Sequence, residues 1–135
     1  MRKTIAAVLA AATVLSLSVA AEARPKIAPE AKLAKLLDGR VAGEPRDCIF
    51  LPSIRSSRII DKTAIVYDAG RTLWVNRPRS GAESLDDDDI LVTRLHSSSL
   101  CSIDIVQLQD RYSNFYSGFV GLGEFVPYRK VAASN

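Results

Sequence analysis

Thr63-Ala64-Ile65-Val66-Tyr67-Asp68-Ala69-Gly70-Arg71-Thr72-Leu73-Trp74-Val75-Asn76 is the stretch that decides the fold. Residues 63–67 and 72–76 are two runs of β-branched and aromatic side chains, the types that suit a pleated, half-buried surface. Four residues lie between them, and Gly70 can take the positive φ that a type I turn with a bulge requires. The two runs therefore read as a β-hairpin. Side chains alternate along a strand, so Ile65 and Tyr67 share one face and Ala64 and Val66 the other.

Working outward, residues 77–81 (Arg-Pro-Arg-Ser-Gly) break the sheet. Residues 90–95, 102–108 and 115–120 read as three more strands, with a turn at 110–114. Gly121, Gly123 and Pro127 restrict the last strand to an irregular edge around Phe125. A further short strand fits residues 55–60. Upstream, residues 29–37 read as a short helix. Pro29 suits its first position, Glu30 the positive end of its dipole and Gly39 the place just past its end. Leu33, Leu36 and Leu37 make one apolar stripe. Residues 39–45 read as a linker and 131–135 as a loose tail. The expected fold is mainly β, a small antiparallel barrel or sandwich with one short N-terminal helix, its β-rich domain spanning residues 46–130.

The first 23 residues have the three parts of a secretory signal peptide. Arg2 and Lys3 are its charged start, residues 5–19 its apolar core, and Ala21-Glu22-Ala23 its small-residue cleavage site. The apolar core is too short for a membrane span, and no later stretch is apolar enough to cross a bilayer. Cleavage after Ala23 removes Arg2, Lys3 and Glu22 and lowers the net charge from +3 to +2. A near-neutral chain bound for export is not a nucleic-acid binder, which needs a basic face or stripe. Its expected partner is a protein or small ligand of the envelope, and its expected location is the periplasm or the exterior.

Cys48 and Cys101 form an even pair, most simply a disulfide in an oxidising compartment. A redox or metal-binding pair lacks support: neither cysteine lies in Cys-x-x-Cys, and His96 is the sole histidine.

Few residues carry recognisable chemistry. Asp86-Asp87-Asp88-Asp89 has the oxygens a hard cation wants, but neighbours in an extended chain point apart, and the spacing is not that of an EF-hand. The plainer reading is a solvated loop that guards a strand edge. His96 is followed by three serines, yet there is no nucleophile elbow, and adjacent residues rarely form a triad. Asp104 falls within a predicted apolar strand, where a carboxylate needs a donor or solvent. Arg77 and Arg79 flank Pro78 and are weak candidates for an anionic ligand. Among the aromatics, Trp74, Phe119 and Phe125 are expected in the core, Tyr112 and Tyr116 on the surface as ligand contacts. No catalytic residue, metal ligand or cofactor is assigned.

Several pieces together resemble a family of exported proteobacterial proteins of unknown function. They are Gly39-Arg40-Val41-Ala42-Gly43, Cys48-Ile49, Ile60-Asp61, Val75-Asn76-Arg77-Pro78, Leu100-Cys101-Ser102-Ile103-Asp104 and Leu122-Gly123-Glu124-Phe125-Val126-Pro127-Tyr128. The Cys-x-x-Asp and Leu-Gly-x-Phe-x-Pro motifs carry most of the likeness. It implies a periplasmic home and supplies no activity. Broader relatives carry a cysteine just before the Leu-Gly pair. Val120 and Gly121 stand there in this chain, which fits Cys48 pairing with Cys101. The expectation is a non-enzymatic binding or structural domain of the envelope. The alternatives are a small hydrolase or metal-dependent enzyme using His96, Asp104 or the aspartates, and a calcium-stabilised structural protein.

Overall fold

The computed structural model describes residues 25–132; the expected signal peptide, residues 1–23, lies outside them, as do the last three residues of the tail. The described residues form one α-helix, α1 (Pro29–Leu36), two single-turn 3-10 helices (Leu51–Ser53 and Ala82–Ser84) and ten strands. These are β1 (Arg40–Ala42), β2 (Cys48–Phe50), β3 (Ser56–Ile60), β4 (Ala64–Asp68), β5 (Thr72–Asn76), β6 (Asp89–Val92), β7 (Ser99–Cys101), β8 (Ile105–Asp110), β9 (Tyr116–Gly121) and β10 (Phe125–Lys130). They build a five-stranded sheet in the order β1-β10-β5-β4-β3, a three-stranded sheet β6-β8-β9 and a ribbon β2-β7, all antiparallel. The sheets do not close into a barrel, and the arrangement is a sandwich.

The β4–β5 hairpin supplies the logic of the layers. Ile65 and Tyr67 face a core shared with Ile49, Leu100, Val106, Leu108, Val120, Leu122 and Phe125 from the opposing ribbon, small sheet and β10. Ala64 and Val66 face the other way, with Leu73 and Val75, onto Leu33 of α1. The strand is thus buried on both faces, between a helix and a second layer of strands. An eight-residue helix is marginal alone, and docking Leu33, Leu36 and Leu37 on the sheet is what stabilises it.

The hairpin turn differs in detail from expectation. Beyond the Asp68–Leu73 pair the Ala69 N–H donates to the Thr72 carbonyl at 2.9 Å, so Gly70 and Arg71 form a two-residue connection with the positive φ (84°) at its first residue, where a II′ turn needs glycine. The Asp68 carboxylate accepts a hydrogen bond from the Gly70 N–H at 2.6 Å and fixes that turn.

Four other expectations are corrected. Residues 40–42 are not linker but β1, an edge strand on β10. The predicted strand 102–108 starts only at Ile105, as β8; residues 102–104 are a tight turn that follows β7, a short strand not expected from the sequence. β10 is no irregular edge but lies between β1 and β5. Pro127 is tolerated there because its carbonyl, on the β1 side, accepts from the Gly43 N–H at 2.7 Å, just beyond the last β1–β10 pair. The missing N–H therefore falls where the ladder has ended. Phe119 is not core but half exposed, on the outer face of β9, whereas Phe125 is fully buried and Trp74 partly so.

Candidate functional site

Cys48 and Cys101 are directly opposite each other on β2 and β7 and are disulfide-bonded, with 4.0 Å between their Cα atoms. The bridge clasps the ribbon that covers one end of the main core.

The other residues singled out by sequence do not converge. Asp104 is a turn residue: its Oδ2 accepts from the Cys101 N–H at 2.7 Å, and its own N–H donates to the Cys101 carbonyl. The donor it needs is thus backbone three residues back. His96 is exposed and makes no side-chain hydrogen bond among the described residues. Arg77 is committed to Glu30 at the start of α1 through two hydrogen bonds of 2.7 and 3.0 Å. The Arg77 hydrogen bond, helped by its charge, holds the Glu30 carboxyl below the usual glutamate range. Arg79 is exposed and joins Gly121 only through its backbone. Tyr112 and Tyr116 are exposed, as expected, on the 110–114 turn and the outer face of β9. That turn is built by Asp110, whose carboxylate takes the Ser113 N–H, the Ser113 hydroxyl and the Tyr112 N–H; the Ser113 N–H chiefly lowers its pKa.

The aspartate run is divided by the fold. Asp89 is buried inside β6 and accepts from the Ser117 hydroxyl at 2.8 Å. Asp86 and Asp87 instead meet Asp61, which sequence gave no reason to choose. One carboxylate oxygen from each lies within 4.8 Å of the others, and these three are the described residues that could share a hard cation. Each already has a partner. Asp61 accepts the Asp87 N–H, Asp86 the Asp88 N–H, and Asp87 pairs with Lys32 at 3.3 Å.

A larger concave surface adjoins this cluster and shares Asp87 with it. A cleft of about 890 Å³ runs between α1, the outer edge of β3 and the outer edge of β6. Lys32, Lys35, Arg58 and Arg111 line it together with Leu36, Leu91, Asp87 and Asp89. Among the described residues, Lys35, Arg58 and Arg111 have no carboxylate within 4.0 Å. Their charges come from a helix, a strand and a turn, so no local pattern announces them. A smaller hollow of about 340 Å³, bounded by Ile54, Arg55, Ser56, Tyr67 and Thr93, shares Ser57 and Leu91 with the cleft and extends the same seam. A second basic cluster, Arg40, Arg71, Arg129 and Lys130, surrounds the β4–β5 turn.

No protein-family model matches the chain, and no curated protein and no solved structure is similar to it.

Proposed function

We propose that this chain is an exported, non-enzymatic binding domain of the cell envelope that takes an anionic partner into the cleft between its two sheets. The single observation that carries this reading is the cleft's lining. Lys32, Lys35, Arg58 and Arg111 outnumber Asp87 and Asp89 around a space of about 890 Å³, and among the described residues Lys35, Arg58 and Arg111 have no carboxylate within 4.0 Å. Cations gathered around a concavity raise the local concentration of anions and orient them on arrival. Export rests on the three-part N-terminal segment and on the Cys48–Cys101 disulfide, which persists in an oxidising compartment. No helix among the described residues is long and apolar enough to cross a membrane. Periplasmic residence and kinship with the exported family that the sequence resembles belong to the same proposal.

Two measurements test it. The intact mass of protein expressed with its full N-terminus should match cleavage after Ala23, less two hydrogens for the disulfide; a full-length mass with free thiols refutes export. Titration with labelled hexaglutamate should show binding that weakens as salt rises and disappears in the Lys35→Glu/Arg58→Glu/Arg111→Glu variant. Equal binding by wild type and variant would remove the cleft from the function.

A further inference from the structure

Every antiparallel sheet that stays open has two edges, and each edge strand presents backbone N–H and C=O groups with no neighbour. In this fold β3 is one edge of the five-stranded sheet and β6 one edge of the three-stranded sheet. Both face the same seam. Residues 54–57 line it opposite Leu91 and Thr93, and residues 57–60 line it opposite residues 87–91. The two strands therefore run past the groove in opposite directions, and the groove follows the whole of β3, exposed at residues 56–58 and closed in at Ile59 and Ile60. Five residues at about 3.3 Å each make a slot about 17 Å long, the size of a short strand.

The side-chain environment of the slot differs on its two faces. Arg58 is paired across the sheet with Val66, which belongs to the helix-side core, so Arg58 projects toward α1 and its Lys32 and Lys35. Ile59 belongs to the opposite core, and Leu91 packs against that core. A chain laid along β3 would send alternate side chains to these two faces. One set would meet Arg58, Lys32 and Lys35, and the other would meet Ile59 and Leu91.

We propose that the cleft binds an extended protein segment of alternating acidic and apolar residues, which adds to β3 as a further strand. This rests on the anion-binding reading above and deepens it by naming the ligand's backbone conformation and residue pattern. The main-chain ladder supplies affinity that does not depend on sequence, and the alternation supplies the choice of partner. Acidic side chains are selected by Lys35 and Arg58, and apolar ones by the partly buried Leu91 where it packs against the main core that includes Ile59.

The test uses a fluorescein-labelled heptapeptide alternating Glu and Val, titrated into the oxidised protein and followed by anisotropy. Three controls accompany it: a Lys/Val heptapeptide, a Glu/Val heptapeptide N-methylated at alternate residues along one edge (each edge in turn), and the Lys35→Glu/Arg58→Glu variant, with retained melting temperature as evidence that it folds. Expected are binding by Glu/Val, amide shift changes confined to β3 and its neighbours, and losses of about tenfold or more in the charge-reversed variant. One of the two N-methylated peptides should lose binding to a similar degree, because a methylated edge cannot donate to the ladder. Equal binding by both N-methylated peptides overturns strand addition while leaving anion binding intact. Equal binding by Lys/Val overturns the charge pattern. Absence of Glu/Val binding overturns strand addition, and the hexaglutamate titration then decides whether anion binding falls with it.

Discussion

Replacing Tyr67 by phenylalanine should make the protein more stable. Tyr67 sits on β4 with 4% of its surface exposed, its ring 5.9 Å from that of Phe125. Its hydroxyl is buried and has no hydrogen-bond partner among the described residues. A buried polar group without a partner costs about 1–3 kcal/mol, because folding strips its water and returns nothing. Tyr67→Phe removes that cost and keeps the ring contact. It leaves a void of about one oxygen atom, which costs less than about 1 kcal/mol. The net gain is about 1 kcal/mol, which in a domain of this size raises Tm by about 4–8 °C. Differential scanning calorimetry at pH 7 reads it directly. A second readout comes from pH. Burial pushes the Tyr67 hydroxyl well above the usual tyrosine range in the folded state. The unfolded chain releases that proton near pH 10 and the folded chain does not, so wild-type stability is intact below about pH 10 and falls above it. The fall approaches about 1.4 kcal/mol per pH unit for one group, and the variant lacks this component. The difference between the two proteins should therefore widen above pH 10. An unchanged or lowered Tm in Tyr67→Phe, with no widening at high pH, would refute the claim that this hydroxyl is buried and unpaired.

Four further outcomes are expected. Asn76 is fully buried and exchanges two hydrogen bonds with the backbone of Gly123 (2.6 and 3.0 Å), so Asn76→Ala should cost about 2–4 kcal/mol in urea unfolding by stranding both groups. Gly123→Ala should also destabilise, since a Cβ there would collide with the Arg77 carbonyl. Reducing the disulfide, or Cys48→Ala/Cys101→Ala, should cost about 4 kcal/mol for a sequence separation of 53 on the chain-entropy estimate, read as a shift in the urea midpoint. Glu30→Gln should change stability by less than about 1 kcal/mol, because both partners of the Glu30–Arg77 pair are more than half exposed. What it contributes is present above the ordinary glutamate pKa and lost as pH falls through the lowered folded value, so wild type and variant should converge in acid.

The parts of this fold that were legible in sequence are those held by local rules. The β4–β5 hairpin declared itself because both of its faces are apolar and a glycine stands in its turn. Asp110 and the 110–114 turn, α1 and β3 followed in the same way. What was not legible depends on distant partners. β1 is three residues long, its Val41 is exposed, and nothing local distinguishes it from linker. β10 carries a proline that argues for an edge, and only the place where β1 stops makes that proline harmless. Phe119 reads as core by residue type, but the β8–β9 register sets it opposite Gln107 on the outward face. The site shows the same division. Arg77 drew attention by its neighbours and is already paired, while Lys35, Arg58 and Arg111 are unremarkable singly and matter because α1, β3 and the turn after β8 bring them to one cleft.

The pairing of β1 with β10 also fixes an order of events in time. Arg40 donates to the Tyr128 carbonyl from 88 residues away, so the first strand of the large sheet has no neighbour until the last has been made. At about 5–20 residues per second of synthesis, that is a wait of about 4–18 s. Throughout it the N-terminal strand belongs to a chain without a finished sheet to pair with, although the helix before it already has β4 and β5 to dock on. A chain that must cross a membrane unfolded is served by such a delay, and one that folds within reach of other copies of itself is exposed by it.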